Sequence, residues 1–433
     1  MKRYPSYKES GLLEPAEVPT HWSVHSVRYA MESVSSGGAL IKGTMADEPA
    51  PGLYPAFSAS GQDVWAEEAR HEGPGIVLSA VGARCGKTFR ADGEWTAIAN
   101  TSVFIPRPGF DRDYLWYMTN MPDFWEIGGS AQPYVQVSGT LQNRTAFPPL
   151  DEQRQLAAYL DRKTAEVDTL IRKKQALIAR LGELRAALIH RAVTKGLDPD
   201  VPMKDSGVEW LGEVPEHWTV PKLKYVGQVE SGHTPSRQHP EYWENCTIPW
   251  FTLADVWQLR NERTTVVSET NAKVSELGLA NSSARLLPAG TVILSRTASV
   301  GFSGVLGVDM ATSQDFVCWI CGPTIRPMYL LFALRAMKEE FRSLLMGSTH
   351  KTIYMPDAYE FVTPLPPLEG QDEIVRHIEQ GTRDIDVLID KETATVALLR
   401  ELRTSLISEV VTGKVDVRAE AARLGGAAEE VAA

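Results

Sequence analysis

Apolar residues recur every three and four positions in two stretches of this 433-residue chain, each far longer than an ordinary helix. In the first, 147–196, Leu160, Val167, Leu170, Leu177, Leu181, Leu184 and Leu188 fall at the a and d positions of one heptad frame. In the second, 365–414, Ile374, Ile378, Ile385, Leu388, Leu399, Leu402 and Leu406 do the same. A heptad pattern held this long predicts a helix with a narrow apolar seam, which needs a long apolar partner and favours supercoiling. Each stretch opens on a proline hinge, FPPL and LPPL, that stops the preceding strand. Asp151 and Glu152 follow in the first turn, where the helix dipole favours acids, and Gly196 with Pro199 ends the first helix. About 40 helical residues at 1.5 Å each make a rod of roughly 60 Å.

The two stretches align without a gap. Pro148 pairs with Pro366, Asp168 with Asp386, Glu183 with Glu401, Leu184 with Leu402, Leu188 with Leu406 and Thr194 with Thr412, all 218 residues apart. Self-similarity at a fixed offset marks a repeated structural unit. A second repeat precedes it: KESG (8–11) and EVPTHWSV (17–24) return 196 residues later as KDSG (204–207) and EVPEHWTV (213–220). Each half therefore reads as opening motif, variable body, proline hinge and long helix. The obvious partner of each helix is the other copy. A parallel pair would crowd the two bodies at one end, so the pattern predicts an antiparallel pair with an approximate twofold axis. Lys174 and Glu392 are equivalent mid-helix a positions of opposite charge, and in that arrangement they become neighbours that disfavour shifted registers.

In the first body the runs GIVLSAVG (75–82) and TAIANTSVFI (96–105) predict strands and DYLWYM (113–118) a helix. The second repeats the order with GTVILSRTASVG (290–301), TSQDFVCWI (312–320) and MYLLFALRAM (328–337). Each body ends in a Gly-Ser loop, at 128–137 and 346–355. The predicted class is α+β: two globular α+β domains separated by two long helices that form an antiparallel coiled coil, with a pseudo-twofold internal repeat. The predicted boundaries are 1–147, 148–196, 197–364, 365–414 and a low-complexity, disordered tail at 415–433.

No apolar run approaches the length of a membrane span, Met1 opens no signal peptide, and four cysteines form no disulfide framework. The expectation is a cytoplasmic protein with no membrane contact. Cys318 and Cys321 form a CxxC on a predicted strand, where residues three apart face opposite ways. A net charge of -11 argues against coating nucleic acid by bulk charge. It leaves room for a few basic and amide side chains in a groove while partners neutralise most of the phosphate.

GARCGKT (82–88) has three residues between its glycines where a phosphate loop needs four. Asp161 and Lys163, the one carboxylate-x-lysine pair, sit inside the first long helix. His21 and His217, in the VPxHW motifs, read as packing residues. No NPP[FY] tetrapeptide or glycine-rich strand-turn for S-adenosylmethionine is present, so the sequence offers no active site and no metal site. What remains is a binder. Candidate DNA contacts are Arg84, Lys87, Gln132, Tyr134 and Gln136 in the first body, and Arg296, Gln314, His350, Lys351 and Tyr354 in the second.

The stretch SGHTPSRQHPEYWENCTIPWFTLADV (231–256), then AGTVILSRTASVG, the GST loop at 347–349, the PLPPLE hinge, two VPxHW motifs and two long helices closely resemble the specificity subunit of type I restriction-modification enzymes. The resemblance covers nearly the whole chain, in order. It implies two target recognition domains that each read half of a bipartite sequence in double-stranded DNA. It also implies helices that fix the spacing and dock two methyltransferase subunits, in a phage-defence assembly that includes restriction/translocase subunits. S-adenosylmethionine, ATP and Mg would then be bound by those partners, with no cofactor and no catalysis in this chain. The alternatives are the specificity component of another multisubunit methyltransferase, a free-standing nuclease or NTPase built on GARCGKT, or a scaffold that never touches nucleic acid. The sequence departs from the family in its second hinge, which reads Glu369-Gly370-Gln371 where the first keeps PPLDEQ. The first body also lacks the TPS...EYW...IPW motif. Reversing one mid-helix charge, Lys174→Glu, is expected to lower stability or shift helix register; unfolding and crosslinking profiles identical to the parent would refute the pairing.

Overall fold

The computed structural model describes residues 2–345 and 352–423. It holds two compact units, Met1–Gln175 with Thr393–Ala433, and Ala176–Glu392. The long helices are Leu150–Lys195 and Leu368–Val411, 46 and 44 residues, and each unit takes part of both. Gly196, with φ of 72°, supplies the left-handed residue that ends the first helix. No helix among the described residues is long and apolar enough to cross a membrane.

In the first unit an antiparallel sheet runs Met31–Ser36, Thr101–Pro106, Gly75–Ser79, Thr88–Ala91. A second sheet runs Gly61–Ala66, Tyr54–Ser58, Glu94–Ala97, His71–Glu72. The predicted strand at 96–105 is therefore two strands in two sheets. Asn100 turns the chain between them with a left-handed φ of 66°, which asparagine tolerates. The second unit breaks its predicted run at 312–320 in the same way. Ala311–Thr312 lies parallel to Ile248–Phe251 in a three-stranded sheet, while Phe316–Cys321 joins a five-stranded one. The helices Arg112–Thr119 and Pro327–Ala336 pack against these sheets.

A buried glutamine secures each hinge. Gln153 accepts the Asp111 N–H through Oε1 (2.8 Å) and donates from Nε2 to the Pro148 carbonyl (2.9 Å). Gln371, its repeat equivalent, accepts the Arg326 N–H (2.8 Å) and donates to the Pro366 carbonyl (2.9 Å). Asp111 and Arg326 are the residues that open the body helices, so each glutamine ties its body to its long helix. Glu152, beside Gln153, is buried and accepts the Tyr4 hydroxyl (2.8 Å) and the Trp22 indole N–H (3.2 Å) on Oε1. His21 Nε2 lies 2.6 Å from its Oε2. The VPxHW histidine and tryptophan of the first half thus serve packing, as expected, and what they pack on is the first turn of the helix.

The seam differs from the predicted one. In both helices the a positions hold: Leu160, Val167, Ile385 and Leu406 are buried, and Lys174, Leu181, Glu392 and Leu399 are partly buried. Their companions lie four residues on, at Thr164, Ile171, Arg185, Thr382, Val396 and Arg403, in place of the leucines three residues on. Leu170, Leu177, Leu184, Leu388 and Leu402 are 40–54% exposed. The reason is local chemistry. Thr164 and Thr382 each donate their hydroxyl to the carbonyl four residues back, Leu160 and Ile378, at 2.7 Å, and so enter the seam with no unsatisfied polar group. Arg185 and Arg403 enter it as ion pairs.

Those ion pairs give the direction of pairing in each unit. In the first, Leu156 and Leu160 share a core with Leu406, Ile407 and Val410, and Asp168 meets Arg403 at 2.9 Å. In the second, Ile189 and Val193 share a core with Ile374 and Ile378, and Arg185 meets Asp386 at 3.1 Å. In both units the helix segments run antiparallel. Asp168 and Asp386 are repeat equivalents, and so are Arg185 and Arg403. The same pair therefore forms in each unit with the two helices exchanging acid and base.

The tail is a further correction. Residues 416–418 are packed: Val417 is buried in the first core, Asp416 bridges Lys2, and Arg418 pairs with Asp416 (2.7 Å) and lies over the Tyr4 ring. A composition rule overlooks one valine and one local ion pair; 424–433 lie outside the described residues.

Asp386 faces both Arg185 (3.1 Å) and Arg263 (3.3 Å). Arg335, which burial beside Arg185 lowers to about 10, also feels its charge. Asp386→Ala leaves this cluster of guanidiniums uncompensated and is expected to cost about 3 kcal/mol. Asp168→Ala, at a more exposed pair, is expected to cost no more than about 1 kcal/mol. Urea denaturation of the two variants checks this; equal losses would contradict the assignment.

Candidate nucleic-acid interface

In the first body the loop at 80–87 joins two neighbouring antiparallel strands, Gly75–Ser79 and Thr88–Ala91. GARCGKT therefore runs into a strand. A phosphate loop needs the N-terminus of a helix there. The loop is strapped to the Gly-Ser segment: Val81 bridges Tyr134, the Gly82 N–H donates to the Pro133 carbonyl (2.9 Å), and the Val135 N–H donates to the Ala80 carbonyl (2.9 Å). Gly82, Gly86 and Gly129 take left-handed φ values of 98°, 90° and 81° at the turns this requires. Arg84 and Lys87 from one loop, and Gln132, Tyr134 and Gln136 from the other, are brought together and are all exposed. Arg84 Nη1 donates to the Ser60 carbonyl at 3.1 Å.

The second body builds the same loop pair. Thr297 bridges Thr352, and the Ile353 N–H donates to the Arg296 carbonyl at 2.8 Å. Arg296 Nε donates to the Gln314 carbonyl (2.9 Å) and its Nη1 to the Ile353 carbonyl (3.2 Å), so its guanidinium braces three loops. Gln314 is exposed, and its Oε1 accepts the Thr234 hydroxyl at 2.6 Å. Tyr354 is 54% exposed at the start of the helix Met355–Glu360. His350, Lys351 and the GST loop at 347–349 lie outside the described residues.

Reading residue types one at a time missed the segment 232–239. Gly232 sits where an added Cβ would lie 2.2 Å from the carbonyl oxygens of Thr312 and Ser313, so only glycine passes. Gly37 stands in the same relation to the Ile98 carbonyl in the first body. Beyond Gly232, Thr234 joins the segment to Gln314. The Arg237 guanidinium lies 4.7 Å from the Trp243 ring centroid, and His239 stacks on Tyr242 at 4.8 Å. Arg237, Gln238 and His239 are thereby held exposed beside the loop pair. The motif TPSRQHPEYW (234–243) carries that signal in the sequence.

Among the described residues no group of three or more His, Cys, Asp or Glu side chains could hold a metal ion. Burial pushes the Cys318 and Cys321 thiols up to about 12, so neither offers a thiolate near neutral pH.

Residues 215–396 match the type I restriction modification DNA specificity domain. The type I restriction enzyme MjaIX specificity subunit of Methanocaldococcus jannaschii is 31% identical over 166 residues, 38% of either chain. The MjaVIII specificity subunit of the same organism is 22% identical over 438 aligned residues, 95% of this chain and 97% of that one. Residues 215–396 thus match the DNA specificity domain, and the chain is similar along nearly its whole length to a specificity subunit of a type I restriction enzyme. Its fold agrees: a chain solved in work on complex assembly and conformational transition of the type I R-M system superimposes with a TM-score of 0.70 at 15% identity. That superposition covers 93% of this chain and 100% of the other. In this chain the bridged loop pair is repeated in both bodies, with different side chains on each.

Arg296→Ala removes the donor shared by two loop carbonyls and is expected to destabilise the second unit by about 1–3 kcal/mol. Gln314→Ala, on the exposed side, is expected to stay within about 0.5 kcal/mol. Denaturation curves followed by circular dichroism distinguish them; a neutral Arg296→Ala would show that the brace is idle.

Proposed function

We propose that this chain is the DNA-recognition subunit of a type I restriction-modification assembly. Each body reads one half of a bipartite target, and the long helices set the spacing and carry two methyltransferase subunits. The observation behind this reading is the bridged loop pair, built at equivalent places in both bodies and bearing exposed Arg, Lys, Gln and Tyr side chains. A glutamine amide matches adenine and a lysine or arginine matches guanine in the major groove, while phosphate contacts position the protein. A chain with a charge of -11 makes few such contacts, and its partners supply the rest.

The exposed leucines support docking. Leu170 and Leu402 in the first unit, and Leu177, Leu184 and Leu388 in the second, set apolar surface at heptad spacing on helices whose a positions face inward. The chemistry belongs to the partners in this reading. S-adenosylmethionine sits on the methyltransferase subunits, and ATP with Mg on the restriction/translocase subunits. This chain is non-catalytic and cytoplasmic. The hairpin geometry of GARCGKT weighs against an NTPase of its own.

Replacing residues 225–364 with the matching body of another specificity subunit is expected to change one half of the methylated motif and leave the other half and the gap intact. Single-molecule sequencing of methylated host DNA reads this directly. A change in both halves would overturn the modular reading.

A further inference from the structure

The two hinges are built from equivalent residues and filled differently. At the first, the carboxylate of Glu152 collects Tyr4, His21 and Trp22, and the Arg418 guanidinium lies 4.7 Å from the centroid of the Tyr4 ring. At the second, the counterpart of Glu152 is Gly370 and the counterpart of Tyr4 is Asp200. A cavity of about 480 Å³ lies there, lined by His217, Trp218 and Gly370 and walled by prolines. Trp218 is 4% exposed, and among the described residues no acceptor meets its indole N–H, whereas the equivalent N–H of Trp22 is bonded. Asp198, Glu369 and Glu373 border the cavity against one cation, Lys195.

Three demands converge on this space. The Trp218 indole N–H, on a residue that lines the cavity and with no protein acceptor among the described residues, can donate to an oxygen placed there. A wall of proline and tryptophan calls for a flat apolar ring. Three carboxylates facing one ammonium call for a cation. The pair that seals the first hinge, a tyrosine under a guanidinium, meets all three. We propose that the second cavity receives a tyrosine side chain, with a basic residue next to it, from a partner protein chain. The phenol oxygen accepts from Trp218, the ring lies on the prolines, and the basic group faces Glu369 and Glu373. The two hinges are then unequal, one closed by the chain's own Tyr4 and Arg418 and one open to a partner. Only the identity of that partner, a methyltransferase subunit, rests on the function proposed above.

Gly370 has no left-handed φ, and a Cβ there would meet nothing closer than Pro366 Cβ at 3.5 Å. Gly370→Glu therefore fits, and restores the carboxylate that fills the first hinge. The test uses full-length protein labelled with 15N-tryptophan, the Trp218 signal being assigned by Trp218→Phe, and titrates it with the probe acetyl-Tyr-Arg-amide. The Trp218 indole signal is expected to move saturably, at least tenfold more weakly with acetyl-Ala-Arg-amide, and not at all in Gly370→Glu, whose melting temperature should not fall. An unmoved signal, equal response to both probes, or a full response in Gly370→Glu overturns the proposal. In a second arm the purified methyltransferase subunit replaces the peptide. Binding that leaves Trp218 unmoved overturns the choice of partner. Failure of the assembled complex to bind DNA selectively, with the peptide arm intact, overturns the functional reading alone.

Discussion

A narrow apolar seam on a 46-residue helix cannot be buried by that helix, and the rest of this protein follows from how the demand is met. In each unit the segment of one long helix is covered by the antiparallel segment of the other, and both enter the core of the same α+β body. The polar members of the seam make the pairing selective. An aspartate and an arginine from opposite helices meet in each unit, and the repeat exchanges their origin. A shifted register would set these charges against apolar neighbours, which costs more than the pair itself contributes.

The bodies are held to this frame by short, directional contacts. A buried glutamine at each hinge satisfies both the opening N–H of a body helix and a proline carbonyl of the hinge, so the body cannot turn on its helix without losing the first of these bonds. In the second unit the loop around Glu262 is further bound by Arg185, Arg335 and Lys338. Recognition by loops requires such anchoring, because a loop that carries base contacts is only as precise as the scaffold beneath it.

Much of this was legible in the chain. The 218-residue repeat, both long helices, the proline hinges and the loops that become the candidate interface all follow from spacing and residue type. The seam phase did not. Leu170 and Leu184 are stronger core residues by type than Thr164 and Arg185, and the preference for leucine hid a threonine that satisfies itself and an arginine that is paired. Two predicted strands were each divided between sheets, since an apolar run carries no mark of which sheet its ends join. Arg296 was recognisable as a polar loop residue, but its two backbone carbonyl partners lie 18 and 57 residues away in sequence.

The central claim is that two dissimilar bodies on one repeated frame each read DNA. The most direct measurement is the methylome of a host that carries this chain together with a methyltransferase subunit. The account predicts one new motif, split by a fixed gap of unread bases and methylated on both strands. A continuous motif, or no motif beyond the host's own, would contradict it.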